Sequence, residues 1–230
     1  MAITGSDPSS GSSSKDERAF DQWRRTAAAI TGLGLTPEEA KIRQQNRNEK
    51  ILNAQRQQCL LWRNDLLRQS PAVTFMTQHI GQQGISVDAS NIVCRPCNKE
   101  RSGGFSPGLQ EVLLCQDGFH SKKHMEDTLV HELIHLYDHA KFKVDWNDLR
   151  HVACSEIRAA NLSGDCKWDR ELMRRGILGF TKHHQVCVRR RATLSVAQHP
   201  ACKSEEDAKR AVNEAWESCI GDTRPFDEIY

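Results

Sequence analysis

The segment "DTLVHELIHLYDHAKF", residues 127 to 142, constrains this chain more than any other. Leu129, Val130, Leu133, Ile134, Leu136 and Tyr137, with Met125 just before them, recur at helical spacing and predict a buried helix. Two histidines and an acid are embedded in it. Residues four apart share a helix face, so His131 and His135 can present their imidazoles to one ion, at the roughly 2.0–2.1 Å of a zinc–nitrogen bond. Glu132 follows the first histidine directly, where its carboxylate can take a proton from a water activated by that ion. In a chain with ten histidines the pentamer H-E-x-x-H can arise by chance. The apolar setting argues otherwise, because buried ionisable groups are costly without a partner. A divalent metal cation, expected to be Zn²⁺, is the partner that suits this set.

A catalytic zinc usually has three protein ligands and one open position. His139 continues the series but stands eight residues from His131, about 12 Å along a straight helix, too far to share one ion. Nor does the chain follow H-E-x-x-H-x-x-G-x-x-H, since Asp138 and Lys141 occupy the glycine and third-histidine places. Asp138 has two readings, a group that orients a ligand from behind or a solvated charge. The third ligand is expected in "NDLRHVACSEIRAANLSGDC". There Asn147 or Asp148 caps a second helix, and Val152, Ala153, Ile157 and Ala160 form its apolar face. Glu156, 21 residues after His135, returns to the histidines if the two helices are antiparallel. An ion pair with Arg158 or Arg150 is the competing reading for Glu156, and His151 is a competing ligand.

Nine cysteines call for disulfides in an oxidising compartment or metal sites in a reducing one. Cys94 and Cys97 with His120 and His124 mimic a zinc finger, but 22 residues separate the pairs, beyond the usual spacing. Most cysteines flank predicted helices, as staples would. Cys154 and Cys166 are expected to pair across "NLSGD", and the odd count leaves a thiol over. A net charge of +2 gives no case for nucleic acid. No run is long and apolar enough to span a membrane, and the start of the sequence shows neither a secretory nor an arginine-rich transit pattern.

The expected organisation is a disordered tail over residues 1–15, a helical extension over 16–58 and a catalytic domain over 59–230. Thr36, Pro37 and Glu39 open a long helix whose polar first half is a solvated arm. "PAVTFMTQHI" reads as a helix, and "ISVDASNIVCRPC" and "GLQEVLLCQ" as strands that could align an extended peptide by strand addition. Three further helices are expected in "KWDRELMRRG", "HHQVCVRRRATLSVAQH" and "SEEDAKRAVNEAWESCIG". The "RRR" at 189–191 reads as a solvated face or a contact for anionic lipid. The fold class is α+β and predominantly helical, a zincin-like core with a small sheet beside the H-E-x-x-H helix.

"HELIHLYDHAKFKVDW" followed by "RHVACSEIRAANLSGDC" resembles the mitochondrial inner-membrane metalloprotease family that processes subunit 6 of the ATP synthase. The likeness runs from about Cys59 onward and is densest over residues 131–166. It implies metal ligands at His131 and His135 and a catalytic glutamate at Glu132, whereas Glu156 rests on spacing. It further implies a peripheral enzyme on the intermembrane-space side of the inner membrane, with disulfides acquired there. The implied partners are the subunit 6 precursor and synthase assembly intermediates, since the family also assists assembly independently of proteolysis. A non-proteolytic assembly factor with a structural metal site is the alternative. The intact Glu132 speaks against it.

Overall fold

Polar caps start the helices and set their phase. Thr36 donates its backbone N–H to Glu39 Oε2 at 2.9 Å and accepts from the Glu39 N–H at 3.3 Å, a reciprocal capping box. Ser70, Ser121, Asp148 and Ser204 each accept a backbone N–H from the first turn of the helix they precede. The computed structural model describes residues 13–97, 101–166 and 182–227. In chain order these form α1 (Ser13–Thr31), α2 (Pro37–Gln69), α3 (Pro71–Gly81), β1 (Ile92–Arg95), β2 (Gly103–Ser106) and β3 (Glu111–Cys115). They continue as α4 (Lys122–Lys141), α5 (Leu149–Leu162), α6 (Lys182–Ala197) and α7 (Glu205–Cys219). The fold is α+β, predominantly helical with one small sheet. The first twelve residues of the expected tail and the helix expected in "KWDRELMRRG" lie outside the described residues.

The chain divides into two compact units, Met1–Ile51 and Leu52–Tyr230. In the first, Ala28 of α1 is 8% exposed, and Arg43 of α2 donates to the Ile30 carbonyl at 2.8 Å. In the second, the strands lie in the order β1-β3-β2, with β1 parallel and β2 antiparallel to β3. Phe105 pairs with Val112 and Gly103 with Leu114. Helix α4 packs against α3, β2, β3 and α5, and α5 packs in turn against α6 and α7. This central position explains why α4 is apolar on several sides: Met125, Leu129, Leu133, Ile134 and Leu136 are fully buried. Each contributes about 1.5–3 kcal/mol by its burial.

Two expectations about strands need correction. Only Ile92–Arg95 of "ISVDASNIVCRPC" is strand. Upstream, Ser90 N–H bonds Asp88 Oδ1 and Asn91 Nδ2 bonds the Ser86 carbonyl, so these side chains hold the backbone in a turn. Strand β2, "GGFS", carries no β-branched alternation and was not expected at all.

Four disulfides staple the second unit: Cys59–Cys94, Cys97–Cys115, Cys154–Cys219 and Cys166–Cys187. The expected Cys154–Cys166 pair does not form. Helix α5 runs on to Leu162, leaving about 12 Å of helix between Cys154 and its end, so each cysteine reaches a later helix instead. With Cys94 and Cys97 both in disulfides, the zinc-finger reading falls. Cys202 is the free cysteine.

Candidate metal centre

Helix α4 points polar side chains in two directions. His131, His135 and Asp138, at i, i+4 and i+7, form a stripe toward α5, while Thr128 and Glu132 face strand β2. On α5, whose N-cap is Asp148, the matching face carries Ser155 and Glu156. The Nε2 atom of His131 lies 3.4 Å from Glu156 Oε2, and the Nε2 atom of His135 lies 3.6 Å from Glu156 Oε1. One ligand atom from each of the three residues falls within 4.8 Å of the others. His131 Nδ1 and Glu156 Oε2 are buried without a hydrogen-bond partner. Two imidazoles, a carboxylate and orphaned buried polar atoms are a donor set that a divalent cation fits.

Each histidine is held from behind. The Nδ1 atom of His135 is 2.7 Å from Ser155 Oγ, and that hydroxyl donates to Asp138 Oδ2 at 2.9 Å. Because Ser155 spends its proton on Asp138, its oxygen accepts from Nδ1–H, leaving the lone pair of Nε2 free for a metal. Asp138 is 2% exposed, so it is no solvated charge. Arg158 holds it in place, with Nη2 at 3.0 Å from Oδ1. The remaining donors of Arg158 meet Asp222 Oδ1 at 2.7 Å and the carbonyls of Asp222 and Arg224. Behind His131, Asp165 Oδ2 stands 3.7 Å from Nδ1 and accepts from Arg191 at 2.5 Å.

The charges sort themselves by environment. Burial pushes the Glu132 carboxyl up to about 7, with further rises from Glu156 and Asp165 against the charges of His131 and Arg101. Burial also drives His135 down to about 4, keeping it neutral. Burial opposes charge on His131, but the Glu156 carboxylate 3.4 Å away, with those of Glu132 and Asp165, lifts it to about 9. Burial likewise opposes charge on Glu156, yet the two histidines hold it down at about 2. A proton on one imidazole thus offsets the negative charge that a cation would neutralise.

Glu132 is 7% exposed and opens onto a cleft of about 620 Å³. Gly103 forms its floor, where an added Cβ would lie 2.8 Å from Thr128 Cγ2 and 3.2 Å from Glu132 Oε1. Strand β2 is an edge strand and lines the cleft, as do Trp146, Arg101 and His199. Trp146 packs edge-on to Phe105 and His135, with ring centroids 5.6 and 6.1 Å away.

The structure brings His131, Glu132, His135, Glu156 and Asp138 to one place. It leaves out His151, which is exposed and accepts the Asp145 N–H, and His139, which accepts from Trp146 Nε1. Neither Arg158 nor Arg150 pairs with Glu156, since Arg158 serves Asp138 and Arg150 lies by Asp148. Ser155, Asp165, Arg158 and Arg191 were not anticipated. Ser155 and Arg158 did carry a signal, as polar residues among apolar ones on a helix face. The 189–191 triplet is likewise no plain solvated face: Arg191 clamps Asp165, and Arg189 lies over the Trp216 ring at 3.9 Å.

Comparison with known proteins bears on this arrangement. The model of the Peptidase M76 family matches residues 57–227. A mitochondrial inner membrane protease ATP23 of Eremothecium gossypii is 49% identical over 221 residues, covering 92% of this chain and 89% of its own. Proteins of the same name from Neosartorya fischeri and Saccharomyces cerevisiae are 46% and 47% identical, over 99% and 95% of this chain and 95% and 99% of theirs. No solved structure matches the chain. Since the family model spans most of the sequence and relatives this similar align nearly end to end, the chain belongs to the Peptidase M76 family and is a metalloprotease.

Proposed function

We propose that the chain is a zinc-dependent endopeptidase with a zincin-like core, in which His131, His135 and Glu156 hold the metal and Glu132 is the general base. The observation that carries this reading is Glu132 itself: a buried carboxylate beside the ligand set, open to the cleft and with its pKa lifted to about 7. A structural metal site has no use for such a base. When bound, the zinc supplies Lewis acidity to a water and to the scissile carbonyl. Glu132 takes the proton of that water at its carboxylate oxygen and hands it to the leaving amine nitrogen, which a group titrating near neutrality does in both directions. The free edge of β2 aligns an extended peptide by strand addition. The Phe105–Trp146 wall receives an apolar side chain of that peptide and sheds water from the reacting bond.

The relatives' shared name, mitochondrial inner membrane protease, directs the reading of place. The enzyme works peripherally at the mitochondrial inner membrane, on the intermembrane-space side, where its disulfides form. Among the described residues no helix is long and apolar enough to cross a membrane. Its substrate is the precursor of ATP synthase subunit 6, from which it removes the N-terminal extension. A separate chaperone-like role in assembling the membrane sector of the synthase uses surfaces outside the cleft, which is lined from residues 101–200 alone.

The test is cleavage of a peptide spanning the end of that extension by the purified chain. Hydrolysis at one bond, abolished by a chelator and restored by zinc, is expected. Intact peptide under zinc-replete conditions contradicts the reading.

A further inference from the structure

Helix α6 walls the metal centre on a side that β2 does not cover: β2 packs on β3 and α4, whereas α6 packs on α5 and α7. Two residues of α6, one turn apart, meet the carboxylates of the site. Arg191 binds Asp165 at 2.5 Å behind His131. The Ser195 hydroxyl faces Glu156, adding to the histidines' hold on its charge. Residues four apart share a helix face, so the next position on this face is 199, about 6–8 Å further along. The helix tightens as it ends there, with the Gln198 and His199 N–H groups bonded three residues back to the Ser195 and Val196 carbonyls, each at 3.0 Å. His199 lines the same cleft as His131, Glu132 and His135.

The half-buried His199 ring has one nitrogen engaged and one to give. The Ala201 N–H donates to its Nδ1 at 3.2 Å. A nitrogen that accepts carries no proton, so the neutral ring keeps its proton on Nε2. The backbone around it is tied down as well, since the Cys202 N–H donates to the His199 carbonyl at 2.9 Å. Other donors along the cleft are committed elsewhere. Trp146 Nε1–H goes to His139 Nδ1, the Thr128 hydroxyl to the His124 carbonyl, and Arg191 to Asp165. Arg101 belongs to the Glu132 side, where its charge favours the carboxylate form of the base. The Nε2–H of His199 is the fixed donor on the α6 side.

Peptide hydrolysis needs a donor so placed. As water adds to the scissile carbonyl, its oxygen gains negative charge, and a hydrogen bond that strengthens only then lowers the barrier. We propose that His199 is a catalytic residue whose Nε2–H donates to the scissile carbonyl oxygen from the α6 wall, while Glu132 works from the β2 side. The proton stays on Nε2 throughout, so Glu132 remains the one group that moves a proton. This role rests on the protease reading above. It gives α6 a part in the chemistry, through Arg191 and Ser195 toward the ligands and through His199 toward the substrate.

The experiment compares wild type, His199→Ala and His199→Gln. It reads zinc content, kcat and KM on the extension-spanning peptide, and affinity for a phosphinic peptide of the same sequence, whose tetrahedral centre mimics the attacked carbonyl. Zinc content should match wild type in both variants. His199→Ala should lower kcat about 10²–10³-fold with KM little changed, and affinity for the phosphinic peptide should fall with kcat. His199→Gln, whose side-chain amide also donates, should restore kcat roughly tenfold or more above His199→Ala. A zinc-loaded His199→Ala protein with wild-type kcat overturns the role of His199 while the protease reading stands. Zinc lost from both variants, or KM raised with kcat unchanged, makes His199 a structural or a binding residue and overturns its catalytic role. Zinc-loaded wild type that leaves the peptide intact and does not bind the phosphinic peptide overturns the protease reading, and the role of His199 with it.

Discussion

Ser155 joins His135 to Asp138: its Oγ lies 2.7 Å from the Nδ1 of the histidine and 2.9 Å from the Oδ2 of the aspartate. The serine has one proton to give, and the buried aspartate takes it, so the imidazole must donate at Nδ1 and keep Nε2 open. Three residues thereby decide one tautomer. Ser155→Ala should cost about 10–100-fold in metal affinity, read by competition with a chromophoric zinc chelator, with the circular dichroism spectrum unchanged. Affinity equal to wild type would mean that the relay does not set the tautomer.

Gly103 is where β2 comes closest to α4. Its Cβ-less backbone lies under Glu132 Oε1 and against Thr128, with the Leu113 carbonyl 3.0 Å from where a Cβ would stand. Gly103→Ala must therefore displace the strand or the glutamate. Crowding of this kind costs about 1–3 kcal/mol. Peptide hydrolysis should fall by roughly an order of magnitude or more while zinc content holds. Full activity with normal stability would show that the strand yields without moving Glu132.

The disulfides make a different kind of prediction. Thiol titration of unfolded, unreduced protein should find one thiol per chain, Cys202. Cys154–Cys219 spans 65 residues, and loss of that closure should cost about 4 kcal/mol. Urea unfolding of the Cys154→Ala/Cys219→Ala variant measures it. More than one free thiol in oxidised wild type would contradict the pairing.

How much of this was legible in the residues alone depends on distance along the chain. His131, Glu132 and His135 sit within one helix, where spacing fixes the shared face, and Glu156 needed only one added assumption, that α5 runs back along α4. Asp138 stayed ambiguous because its partners, Ser155 and Arg158, come from α5. Asp165 and Arg191 were out of reach. Their roles depend on how α6 returns to the site from far along the chain, and a run of three arginines looks like any solvated face. Strand β2 escaped for a similar reason: "GGFS" has no strand propensity, and its pairing with β3 and contact with α4 make it a strand. The false Cys154–Cys166 pair came from counting residues where the helix sets the distance.

A pH effect follows from Asp222. Burial opposes its charge, but the hydrogen bond from Arg224 and the charge of Arg158 hold its pKa below the usual 3.8. A carboxyl depressed on folding stabilises the protein above its unfolded pKa and loses that contribution as pH falls through the folded value. Asp222→Asn should therefore be less stable than wild type in urea at pH 7. The gap should narrow below about pH 4. A gap that stays constant down to pH 3 would assign the effect to packing.

The central claim divides the labour between metal ligands and base, and one paired measurement tests it most directly. Zinc content and peptide cleavage are determined on the same preparations of wild type, Glu132→Gln and Glu156→Gln. The account predicts one zinc per chain in wild type and Glu132→Gln, and reduced zinc in Glu156→Gln, where an amide is a poorer ligand. Cleavage should be full in wild type alone and about 10²–10⁴-fold lower in Glu132→Gln. A folded, zinc-loaded Glu132→Gln protein that cleaves at the wild-type rate would contradict it.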